Sequence, residues 1–73
     1  MSKPDAVIAD FEAVLQKHRS ISSYSINEAI NALVAGHSEE ELSTVCPYIS
    51  RRIGIAEWIV RCDVKQRFEQ LND

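Results

Sequence analysis

Two cysteines and two histidines are the residues of this 73-residue chain whose types could bind a zinc ion. Cys46 and Cys62 lie sixteen positions apart, and they form no zinc-finger spacing with each other or with His18 and His37. Reduced cysteines of cytoplasmic proteins usually behave as small core hydrophobes. We therefore expect two core thiols and no metal, and a zinc site built from these residues stays the lesser alternative.

No arrangement typical of catalysis is visible in the sequence. The chain has no nucleophile beside a base and no phosphate-binding loop, and it contains two glycines. The carboxylates at 39–41 are explained by a first helical turn, where the helix dipole stabilises each by ~0.3–1 kcal/mol. His18 fits the apolar edge of a helix, and His37 fits a hydrophobic staple against Leu42. We expect no enzyme, no catalytic residue and no cofactor, and a chain this small rarely encloses a small-molecule pocket.

A basic and aromatic strip is the strongest candidate for a binding site. Residues 51–67 carry five basic and two acidic side chains, although the whole chain has a net charge of −3. Trp and Arg are enriched in binding hot spots, and residues seven apart share one side of a helix. The predicted partner-binding residues are Arg51, Arg52, Trp58, Arg61, Lys65 and Arg67. The alternative is that Trp58 is a core anchor and the arginines form a solvated face paired with Glu57, Asp63 and Glu69.

Helical periodicity predicts the first two elements that would position this strip. In the first helix, Pro4 suits the first turn and Ser2 is a possible cap. In the second helix, Ser25 and Glu28 form a capping box and Gly36 can end the helix. The apolar stripes of these two helices are Val7, Ile8, Phe11, Val14 and Leu15, and Ile26, Ala29, Ile30, Leu33 and Val34.

Two more helices follow in the prediction. Ser38 and Glu41 form a second capping box, and the short helix with Leu42, Val45 and Cys46 ends at Pro47. The last and longest helix covers 51–71, with a bend or close approach at Gly54. It is apolar on most sides between 53 and 62, which is typical of a central core helix or of a helix docked on a partner. Its stripes are Ile53, Ala56, Val60, Val64, Phe68 and Leu71, and Ile55, Trp58, Ile59 and Cys62.

Length and composition indicate one all-α domain over residues 1–73, a compact orthogonal bundle of about four short helices. With 45% apolar and 26% charged residues the chain should fold, although a core this small supplies only roughly 3–5 kcal/mol. Charges interrupt every apolar run before it reaches the length of a membrane span or a signal-peptide core. We therefore expect a cytoplasmic protein that does not contact the membrane.

Residues 39–58 resemble the helix-turn-helix family of DNA-binding proteins. Leu42, Ser43, Cys46, Tyr48 and Ile53 fall at suitable places, and Pro47 stands where the family usually has Gly. The resemblance implies a DNA-binding transcription regulator, dimeric, that uses the 51–67 helix.

Two features of the sequence oppose that function. The outward residues of the reading helix would be mostly hydrophobic, whereas base edges are read by polar side chains such as Arg, Asn and Gln. A second phasing, with Ala32, Gly36, Leu42 and Val45 at the required places, opens the reading helix with Ser38 and the carboxylates at 39–41. Phosphates would repel that helix start.

Size and composition are similar to those of small phage-encoded proteins that bind host RNA polymerase. We expect a small non-enzymatic regulator that docks on a larger protein machine, such as bacterial RNA polymerase, and modulates it by occlusion. The alternatives are a helix-turn-helix DNA-binding regulator and a structural subunit of a larger complex. Either a monomer or a small homo-oligomer fits the sequence.

Overall fold

Four helices and the short turns between them make up residues 3–71, which the computed structural model of the protein describes. They are α1 (Lys3–Gln16), α2 (Ser23–Gly36), α3 (Glu39–Ile53) and α4 (Glu57–Leu71), and no strand occurs in this range. The expectation of an all-α fold with four short helices is confirmed. The cap expected at Ser2 lies outside the described residues. None of the four helices is both long enough and apolar enough to cross a membrane.

The core receives side chains from all four helices. α1 packs on α2 and α3, α4 packs on the same two helices, and α1 and α4 lie apart. The predicted apolar stripes of α1 and α2 are confirmed by burial at Val7, Phe11 and Leu33. In α4 burial is limited to Val60 and Val64. The buried hydrophobic residues are Val7, Phe11, Leu15, Ala29, Ile30, Leu33, Val34, Leu42, Val45, Cys46, Ile49, Val60 and Val64.

Serine side chains cap the two central helices. The α3 capping box is confirmed: Ser38 Oγ accepts from the Glu41 N–H at 3.2 Å, and the Ser38 N–H donates to Glu41 Oε1 at 2.9 Å. The box predicted for α2 is wrong, because the cap is Ser22. The Ser22 N–H donates to Ser25 Oγ at 2.8 Å, and Ser22 Oγ accepts from the Ser25 N–H at 3.3 Å. The capping box therefore begins three residues earlier than expected, and its second hydroxyl comes from Ser25, which is fully buried.

Helix α3 continues through Pro47, so the end predicted there is wrong. Proline removes one backbone donor from a helix. The half of α3 that follows is held by packing, since Ile49 is 1% exposed and Ile53 lies against the core. Tertiary contacts therefore offset the lost hydrogen bond.

Gly54 ends α3 instead of bending the last helix. Its φ of 72° is left-handed, and its N–H donates to the Ser50 carbonyl at 2.9 Å. The Ile55 N–H reaches the same carbonyl at 3.2 Å, and Ser50 Oγ donates to the Ile55 carbonyl at 2.6 Å. Glycine adopts this conformation without steric cost, which is common at helix ends. The single helix predicted over 51–71 is therefore wrong, and α4 begins at Glu57.

Candidate docking surface on helix α4

Trp58 lies on the solvent side of α4. Its side chain is 69% exposed, and that of the neighbouring Ile59 is 42% exposed. Val60 and Val64 form the inner side of the helix, while Trp58, Cys62 and Lys65 recur at intervals of four and three residues and are all exposed. We name these last three residues the outer face of α4.

The alternative in which Trp58 is a core anchor is wrong for this fold. The helix expected to be central to the core from 53 to 62 is interrupted at Gly54, which separates Ile53 from the apolar residues of α4. Within α4, Val60 and Val64 take the buried positions. The indole lies outside because Trp58 is two residues before Val60, about 200° away around the helix, so burial of Val60 directs Trp58 towards solvent.

The basic residues of the predicted strip are divided between two helices. Arg51 and Arg52 belong to α3, whereas Arg61, Lys65 and Arg67 belong to α4. Residues 51 and 58 therefore do not share one helical face as a continuous helix would require. The structure brings together part of the strip only, on the outer face of α4.

Three of the five cations are held by partners within the fold. Arg52 Nε donates to Glu12 Oε2 of α1 at 2.9 Å. The guanidinium of Arg61 donates to Glu57 Oε2 at 2.8 Å and to Ser43 Oγ at 3.1 Å. Arg67 Nε donates to Asp63 Oδ2 at 2.8 Å, and the Arg67 guanidinium also donates to Asn31 Oδ1.

Arg51 and Lys65 differ from the other three cations. Neither makes an ion pair or side-chain hydrogen bond with another residue in the range 3–71, and both are exposed. Unpaired surface cations keep their charge available to a partner. The charge that the strip offers is therefore smaller than the sequence suggests, and Lys65 carries it on the same face as Trp58.

A network around Glu12 fixes the second half of α3. Tyr48 Oη donates to Glu12 Oε2 at 2.6 Å, and this is the oxygen that also accepts from Arg52. The Tyr48 hydrogen bond, aided by Arg52, lowers the pKa of Glu12 below its usual value in spite of burial, which acts in the opposite direction. The same bond raises the pKa of Tyr48. The long-range pairing of Glu12 with residues 36 and 40 positions later gives no periodic signal in the sequence.

An apolar groove of about 500 Å³ opens between α2, the end of α3 and α4. Its isoleucines come from α2, from the end of α3 and its turn, and from α4, so no single periodic segment indicates it. The groove is open to solvent, so it does not test the expectation that so small a chain rarely encloses a small-molecule pocket. The groove is lined by Ile26, Ile30, Ile53, Ile55, Ile59 and Val60, and by the polar residues Ser23, Asn27, Asp63 and Arg67.

The cysteines lie in unlike surroundings. Cys46 is buried, its thiol donates to the Leu42 carbonyl at 3.3 Å, and burial raises its pKa. Cys62 is exposed, so the expectation that both thiols are in the core holds for Cys46 and is wrong for Cys62.

The histidines pair with carboxylates across the α1–α2 interface. His37 Nε2 lies 2.7 Å from Asp10 Oδ2, and His18 Nε2 lies 2.9 Å from Glu28 Oε2. The His18 ring also contacts Tyr24 edge to face, with centroids 5.6 Å apart. No group of three or more possible metal ligands gathers anywhere from residue 3 to residue 71.

The helix boundaries differ from those that the helix-turn-helix resemblance requires. α3 is continuous from Glu39 to Ile53, so the turn expected at Pro47 is absent. In the second phasing α2 and α3 do flank a short connection, but the first turn of α3 is acidic. No protein-family model, no curated protein and no solved structure matches this chain.

Proposed function

We propose that this chain is a small non-enzymatic regulator that docks on a larger protein through the outer face of α4 and acts by occlusion. The observation that carries the proposal is the exposure of Trp58, the single tryptophan of the chain. An aromatic side chain buries about 150–250 Å² when it is covered, and Trp is among the commonest hot-spot residues. Because the core of this chain is small, covering the indole with a partner would remove from water apolar surface that the fold alone leaves exposed.

The charges beside Trp58 define the chemistry of the partner. Lys65 lies two turns along the same face without an acidic partner in the described fold, and Arg51 is a second exposed, unpaired cation on α3. Charge complementarity suppresses wrong partners and speeds encounter. The partner surface that fits these residues is therefore an apolar pocket that accepts the indole and is bordered by carboxylates.

Transcription machinery, and bacterial RNA polymerase in particular, is the partner that we propose to test first. The basis for this choice is that the chain is similar in size and composition to small phage-encoded proteins that bind host RNA polymerase. Nucleic acid fits the charges less well, because DNA-binding proteins neutralise several phosphates and residues 51–67 offer two unpaired cations in a chain of net charge −3.

The test compares three tagged proteins captured from nuclease-treated lysate of the source cell: wild type, Trp58→Ala and Tyr24→Ala. Tyr24 is a matched control because its ring, on α2, is 71% exposed. Quantitative mass spectrometry should find proteins retained by wild type and Tyr24→Ala and depleted on the order of thirtyfold with Trp58→Ala, the factor typical of a hot-spot residue. RNA polymerase subunits in that set would support the proposed partner.

Two outcomes would overturn the proposal. Equal recovery with Trp58→Ala would show that the outer face of α4 is not the docking surface. Wild type is also captured from untreated lysate, and recovery that is found there and lost with nuclease would favour the DNA-binding alternative. Salt separates these two cases further, because binding through several phosphates weakens steeply as salt rises and an apolar interface does not.

A further inference from the structure

The groove between α2, the end of α3 and α4 leaves branched aliphatic side chains open to water. α2 packs more closely on α1, and α4 on α3, than α2 and α4 pack on each other. Ile53 and Ile55, on either side of the left-handed Gly54, both line the groove. Its apolar residues are all Ile or Val, and none of the described lining residues is aromatic. Covering such a surface with an apolar ligand removes it from water, which is favourable.

The dimensions of the groove fit a small aliphatic molecule better than a protein segment. Its volume of about 500 Å³ lies within the range of roughly 300–1,000 Å³ that is usual for small-molecule sites. Along α2 the lining runs from Ser23 to Ile30, which is about 10 Å at a rise of about 1.5 Å per residue. A partner helix, about 10–12 Å in diameter, would occupy roughly 800 Å³ over that length, which exceeds the groove. An extended alkyl chain is narrow enough to lie along it.

The polar lining residues determine which head group such a molecule can carry. Asp63 Oδ2 accepts from Arg67 Nε at 2.8 Å, so the two charged side chains of the lining neutralise each other. Ser23 and Asn27 are exposed, and neither makes a side-chain hydrogen bond with another residue in the range 3–71. An ionic head group would lose hydration without meeting an unpaired countercharge. A hydroxyl or an amide, by contrast, can form hydrogen bonds with the free hydroxyl and amide of the lining.

We propose that this groove binds an uncharged aliphatic molecule with one hydrogen-bonding head group. The head group contacts Ser23 and Asn27, and the chain lies against Ile30 and Val60. Val60 lies about 200° around α4 from Trp58, so this site is separate from the outer face of α4. Ligand binding and protein docking therefore use opposite sides of α4, and either one can be absent without the other.

Isoleucine methyl groups report occupancy of the groove directly. Butanol, hexanol and octanol are each titrated into protein labelled at the isoleucine δ1 methyl groups, and the chemical shifts are followed by NMR. We expect saturable shifts at Ile59 and the other isoleucines of the groove, while Ile8 and Ile21, which do not line it, stay unchanged. Each added methylene should lower Kd about fourfold, because its burial is favourable. Shifts that do not saturate, shifts spread equally over all isoleucines, or a Kd independent of chain length would overturn the proposal.

A matched pair of variants tests the position of the site. Ile59 and Ile21 are 42% and 44% exposed, and of these two only Ile59 lines the groove. Ile59→Glu should raise the Kd for octanol at least about tenfold, because it sets a charge against the alkyl chain, whereas Ile21→Glu should change it less than about twofold. The methyl signals of Ile8 and Ile49 show whether each variant is folded.

Equal Kd values in folded Ile59→Glu and Ile21→Glu would overturn the assignment of the groove. If Ile59→Glu does not fold, the series of alcohols on the wild type still decides the proposal. Trp58→Ala should bind octanol as the wild type does, so failure of this site and failure of docking give different results.

Discussion

Tyr48 Oη lies 2.6 Å from Glu12 Oε2, and this hydrogen bond joins the second half of α3 to α1. Arg52 Nε lies 2.9 Å from the same oxygen. Both bonds fall after Pro47, at the point where the backbone of α3 lacks one donor. The network therefore helps to keep α3 helical as far as the turn that orients α4.

Loss of the phenol should weaken the fold measurably. Tyr48→Phe removes one hydrogen bond to a charged group and should lower the free energy of unfolding near neutral pH by about 1–2 kcal/mol. Chemical denaturation measures the change. Tyr24→Phe, at an exposed ring, is the control and should unfold as the wild type does. Equal losses in the two variants would contradict the role given to the Glu12 network.

The same network predicts that the free energy of unfolding decreases at acidic pH. The pKa of Glu12 is lowered in the folded chain, so its contribution is present above the ordinary carboxyl value of 4.5 and is lost as pH falls through the lowered pKa. The wild type should therefore be more stable than Glu12→Gln near pH 7, and the difference should shrink below about pH 4.5. Denaturation at a series of pH values tests this. A difference that stays constant with pH would show that ionised Glu12 is not the stabilising form.

Alanine at the two glycines should affect the free energy of unfolding differently. Gly54 has a φ of 72°, so Gly54→Ala places an alanine in the left-handed conformation and should lower the free energy of unfolding by about 1–2 kcal/mol. Gly36 lies in the last turn of α2, and the space that an added methyl group would occupy is open, so Gly36→Ala should be neutral or stabilise by up to about 1 kcal/mol. Thermal unfolding of the two variants side by side decides this. Equal effects would mean that Gly54 does not set the end of α3.

Local signals predicted much of the fold. Periodicity gave the apolar stripes of α1 and α2, and the Ser38 cap was readable because its partner Glu41 lies three residues away. Pro47 and Gly54 were misinterpreted because their effect depends on tertiary packing and on the sign of φ, which composition does not encode. Helical periodicity put Val60 and Val64 on one stripe and Trp58 on another, and the structure buries the first stripe and leaves Trp58 exposed. The groove was not predicted, since its lining comes from three elements.

Removal of the indole should leave the fold nearly intact. Trp58→Ala changes an exposed position, so its free energy of unfolding should stay within about 0.5 kcal/mol of wild type. A loss of about 3–5 kcal/mol, typical of a truncated buried aromatic, would place Trp58 in the core.

Recovery of nuclease-resistant partner by Trp58→Ala, relative to Tyr24→Ala, tests the central claim most directly. Both variants remove an exposed aromatic ring, one from α4 and one from α2. We expect Tyr24→Ala to retain the partner as the wild type does, and folded Trp58→Ala to lose it. Retention by both variants would contradict the assignment of the outer face of α4 as the docking surface.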